Sequence, residues 1–96
     1  MRLIAAGPDF GHMLHLAFDQ IVHYGKGDRR VMARILESLL HLSQLTDEPS
    51  RLRALSTMTE RVARAAETGL DDPDDRRQIE ELTERLGLAL AGRLRA

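Results

Sequence analysis

His15, Asp19 and His23 stand at i, i+4 and i+8, and His12 lies one turn before His15. On a helix this spacing collects all four on one face. Imidazole and carboxylate groups one turn apart can share a first-row divalent metal such as zinc. A single helix leaves coordination positions open, so the simpler reading is a solvated polar face opposite an apolar stripe. His41 falls near the end of a second predicted helix, where positive charge is tolerated.

The run Gly25-Lys26-Gly27-Asp28-Arg29-Arg30 is the second candidate. Glycines before a helix N-terminus, followed by basic residues, can hold an anion, and Lys26, Arg29 and Arg30 would be its contacts. The run is not a Walker A loop, and it follows a helix rather than a strand. Its simpler reading is a helix-to-helix turn in which the glycines take positive φ and Asp28 caps. Ser38, Ser43, Ser50 and Ser56 stand in no Gly-x-Ser-x-Gly turn. The acidic run from Asp71 to Asp75 lacks the glycine and terminal glutamate of a calcium loop and reads as capping and turn chemistry. No catalytic residue and no cofactor is expected.

Composition narrows the classes further. The chain has 96 residues, the length of one domain, which excludes an enzyme with a cleft between two lobes. Cysteine is absent, so disulfides, thiolate catalysis and Cys-based zinc sites are excluded. Phe10, Phe18 and Tyr24 are the only aromatics of the Phe, Tyr and Trp classes, too few for a base-stacking platform. The net charge is −1, and neither half of the chain is a basic patch, so no nucleic-acid partner is expected. The N-terminal apolar run is shorter than the roughly 7–15 residues of a signal-peptide core. No stretch approaches the roughly 20 apolar residues of a membrane span, so no membrane insertion and a cytoplasmic location are expected.

These side chains need elements to carry them, and the sequence reads as helices throughout. No segment sustains period-2 alternation. Gly and Pro divide the chain into four predicted helices, at about 9–24, 28–44, 49–68 and 74–94. In the first, Phe10, Met13, Leu14, Ala17, Phe18 and Ile21 form the apolar stripe, with Asp9 as N-cap. In the second, capped by Asp28, Val31, Met32, Ile35, Leu36, Leu39, Leu40 and Leu42 cover more than half the circumference. The third starts at Pro49 and carries a narrower seam of Leu52, Leu55, Thr59, Val62 and Ala66, with Met58 on its flank. Its Glu60 and Arg64 are spaced for an i,i+4 pair, and Gly69 is read as its C′ residue. In the fourth, Asp72 caps, Pro73 takes the first helical position, and Ile79, Leu82, Leu86, Leu90 and Leu94 form one stripe. Leu88 falls off that stripe. Short connections predict an all-α, four-helix antiparallel bundle-like domain.

The string Ala17-Phe18-Asp19-Gln20-Ile21-Val22-His23-Tyr24-Gly25-Lys26-Gly27-Asp28, followed by Val31 and by Arg34-Ile35-Leu36-Glu37-Ser38-Leu39, resembles part of a bacterial family. It is similar to the C-terminal soluble region of an uncharacterised predicted-membrane-protein family, domain of unknown function 2254. Asp74-Asp75-Arg76 resembles an acidic helix start in that region. The likeness spans most of residues 9 to 86 and covers the soluble region alone, without the family's transmembrane helices. It implies a membrane-tethered, cytosol-facing helical module at the inner face of the membrane, or a stand-alone relative of one. It implies no activity and no catalytic residues.

The apolar surface of the second predicted helix is wider than one neighbour can cover. That excess, with the outlying Leu88, leads to the expectation of a non-enzymatic interaction or oligomerisation module. Its partner would be a second copy or another helical domain, met through Met32, Leu36, Leu40 and Leu88.

Overall fold

A computed structural model describes residues 12, 14, 16, 19 and 28–95. Three continuous helices are found among them: α1 (Arg29–Ser43), α2 (Pro49–Gly69) and α3 (Pro73–Arg95). His12, Leu14, Leu16 and Asp19 are also helical, and the rest of the predicted 9–24 helix lies outside the described residues. The described residues contain no strand, so they are all-helical as expected, with three rather than four helices delimited.

The helix starts follow local chemistry. The Asp28 carboxylate accepts the backbone N–H groups of Arg30 at 3.0 Å and Val31 at 3.4 Å, satisfying two donors that the first turn of α1 leaves without helical partners. Pro49 opens α2, where its missing N–H costs nothing. At α3, the Asp72 side chain accepts the N–H of Asp74 at 2.8 Å, and Asp74 and Asp75 lie at the positive end of the helix dipole. The expected Glu60–Arg64 pair forms at 4.0 Å on an exposed face.

The end of α2 differs from expectation. Gly69 remains in the helix, and the chain turns at Leu70, which is extended at φ −95 and ψ 123. Leu70 is buried among the core residues, and its N–H reaches back to the Ala66 carbonyl at 3.1 Å. Burying a leucine here replaces the left-handed glycine exit that the sequence invites.

One aliphatic core joins the three helices. Met32, Ile35, Leu36 and Leu39 come from α1, Leu52, Leu55, Met58, Val62 and Ala66 from α2, and Ile79, Leu86 and Leu90 from α3. Leu14, from the N-terminal helical residues, packs against this cluster. The α3 stripe is rotated from the predicted one: Thr83 is buried and Leu82 is 38% exposed. The 4-3-4 spacing of Ile79, Thr83, Leu86 and Leu90 follows the core-facing line more closely than Leu82 does. Thr83 enters at little cost because its hydroxyl donates to the Glu80 carbonyl at 2.9 Å. Thr59 on α2 does the same toward the Leu55 carbonyl at 2.8 Å.

α2 and α3 make the most extensive pairing, and α1 lies against both. The two ends of the α1–α3 pair are pinned by arginines. At the N-terminal end, Arg29 Nε lies 3.3 Å from Asp75 Oδ1. At the C-terminal end, the Arg93 guanidinium donates to the carbonyls of Ser43 and of Thr46, the latter at 2.6 Å, and meets Asp47 Oδ1 at 3.1 Å. The N-terminus of α1 thus sits beside that of α3, and their C-terminal ends meet likewise. α1 and α3 run parallel, with α2 antiparallel to both. Arg93 also supplies donors to the carbonyl-rich end of α1, which carries partial negative charge.

Leu39→Ala should lower unfolding stability by about 2–5 kcal/mol, whereas Leu88→Ala at the surface should stay within about 0.5 kcal/mol, both measured by urea denaturation followed by circular dichroism. Arg93→Ala should cost about 1–2 kcal/mol in the same measurement. Arg93→Lys should recover only part of it, since an ammonium cannot span the Ser43 and Thr46 carbonyls as a planar fork does.

Candidate functional site

The wide apolar surface of α1 is divided between two neighbours' worth of space. Its core-facing line is closed by α2 and α3, which leaves Met32 fully buried and Leu36 3% exposed. Of the four expected interface positions, these two are therefore enclosed within the chain's own core. Leu40 and Leu88 are accessible, at 45% and 68%. The excess apolar surface of α1 does not end at the core, however. It continues into a groove of about 240 Å³ between α1 and α3.

Ala33, Leu36 and Leu40 line this groove from α1, and Leu82, Leu86 and Ala89 line it from α3. Leu36 and Leu86 belong to the core and form its apolar base, while Leu40 and Leu82 remain partly open to solvent. The two charged side chains that line it have opposite signs: Glu37 belongs to α1 and Arg85 to α3. Neither makes an ion pair among the described residues. An apolar trough with leucines at its edges suits the apolar face of another helix. The sequence assigns Leu82 to the inward stripe rather than to a surface groove, and it does not single out Arg85. The available signal was the 4-3-4 line through Thr83, which turns Leu82 outward.

Leu88 belongs to a different groove, between α2 and α3. This depression of about 710 Å³ is lined by Glu60, Glu67, Glu80 and Glu84, with Ala63 and Ala91 among its apolar members. Thr59 and Thr83 also line it, and their hydroxyls donate to their own helix backbones. The accessible interface candidates Leu40 and Leu88 thus lie in separate grooves.

His12 is exposed on a helical segment and Asp19 is half-buried, while His15 and His23 lie outside the described residues. No group of three or more His, Asp or Glu side chains able to hold a metal occurs among the described residues. Lys26 also lies outside them. Arg29 is engaged by Asp75, and Arg30 is exposed. The Asp28 carboxylate occupies the first-turn N–H groups that an anion would use and sets a negative charge at the same place. His41 is exposed in the last turn of α1.

No protein-family model, no curated protein and no solved structure matches the chain. No helix among the described residues is long and apolar enough to cross a membrane.

The Arg29–Asp75 pair is about one-third exposed on both sides, so its contribution should be small. A double-mutant cycle of Arg29→Ala and Asp75→Asn should give a coupling of about 0.2–1 kcal/mol that shrinks in 1 M salt.

Proposed function

We propose that this chain is a non-enzymatic helical interaction module that docks an apolar helical surface against the α1–α3 groove. The observation that carries the reading is the exposure of Leu40 and Leu82 over an apolar base formed by Leu36 and Leu86. Each exposed leucine in isolation would be ordinary, but these two edge one continuous apolar trough. Burying the trough against a partner removes that apolar surface from water, which favours association. The module acts as a docking element, and its resemblance to the soluble region of a membrane-protein family supports a position at the inner face of a membrane.

A photo-crosslinking amino acid installed at position 40 or 82 tests this in cells that express the chain. Adducts are expected from both positions, and none from position 53, an exposed site on α2. Leu40→Glu should abolish adducts formed from position 82 while leaving the helical circular dichroism unchanged, because the side chain is already partly solvated. Absence of any adduct at positions 40 and 82 would show that the groove docks nothing.

A further inference from the structure

We infer that the occupant of the α1–α3 groove is a second copy of this chain, related by a two-fold axis that runs along the groove. This rests on the reading of the groove as a docking surface and adds the identity of its partner. The first support is the sign pattern of the groove's charged side chains. Glu37 lies on one wall and Arg85 on the other, and neither is in an ion pair among the described residues.

The second support is the direction of the helices. The Arg29–Asp75 contact and the Arg93 contacts with Ser43 and Thr46 fix α1 and α3 as parallel. Turning one copy about an axis along the groove therefore lays its α3 on α1 of the other, running the same way. Glu37 of each copy then meets Arg85 of the other, and the pair is made twice, as an isologous interface requires. A two-fold axis across the groove would instead set Glu37 against Glu37 and Arg85 against Arg85. Like charges at an interface are strongly unfavourable, so the pattern selects the first arrangement.

Two further features agree. Ala33 and Ala89 keep the groove walls low, which lets a second helix pair approach closely. The net charge of −1 leaves little long-range repulsion between copies.

Sedimentation equilibrium of the full chain and of charge-reversed variants tests the geometry. The wild-type chain should dimerise at tens of micromolar. Glu37→Arg alone creates two Arg–Arg contacts per dimer, and Arg85→Glu alone creates two Glu–Glu contacts. Each should weaken dimerisation by at least about tenfold. An equimolar mixture of the two variants restores opposite charges at both contacts, so it should form a heterodimer within about threefold of wild-type affinity. Recovery in the mixture also shows that both variants are folded, since a misfolded chain cannot rescue its partner. A wild-type chain that stays monomeric at hundreds of micromolar would overturn the proposal, as would single variants that dimerise like wild type or a mixture that fails to recover. If the chain is monomeric but position 40 still crosslinks to a different protein, the second copy is wrong and the docking surface stands. If positions 40 and 82 crosslink to nothing, both fail.

Discussion

The three described helices close on a strip of aliphatic side chains in which Met32, Leu39, Leu55, Val62 and Ile79 have no measurable exposure. Everything else in the structure is arranged around that strip. The described residues that form it are leucine, isoleucine, valine, methionine and alanine. Such side chains fill space only when helices approach closely and in register, because none is large enough to bridge a gap. The same requirement explains the polar residues on the core-facing lines. Thr59 and Thr83 are small enough to fit and bond their own helix backbones, so they enter without an unsatisfied hydroxyl.

Arginine contacts mark the register of the α1–α3 pair at both ends. Arg29 and Asp75 join the two N-termini, and Arg93 ties the C-terminal part of α3 to the turn after α1. The Arg93 contact reaches further than an ion pair does. The Ser43 and Thr46 carbonyls accept from a guanidinium on a helix distant in sequence, so the end of α1 is capped in three dimensions. With α1 and α3 held parallel, the surface left between them is a trough bounded by both. Its shape and its charge pattern are consequences of that alignment, and the docking reading depends on it.

Much of this was legible in the sequence, for local reasons. Asp28 and Asp72 are read as caps because a short carboxylate side chain bonds the first-turn N–H groups wherever it precedes a helix, and both do so. The seam of α2 is legible because 3.6-residue periodicity selects Leu52, Leu55, Thr59, Val62 and Ala66, all of which are buried. Gly69 was less legible. A glycine near a helix end commonly adopts the left-handed conformation, but here the adjoining Leu70 had a place in the core, and that burial governs where the chain turns. Leu82 misled for a similar reason. Helical periodicity admits it to the apolar arc of α3, and only the position of α1 decides which edge of that arc is covered.

By itself, the sequence determined the helical class, the starts of all three described helices, and the inward seam of α2. These follow from residue types and spacings within one or two helical turns. The tertiary structure alone decided that α1 and α3 are parallel, that Arg93 caps α1, and that Met32 and Leu36 belong to the core while Leu40 remains accessible. Those outcomes turn on how far one helix is rotated and displaced against another. That rotation is set by the combined packing of many small side chains, and no single stretch of sequence encodes it.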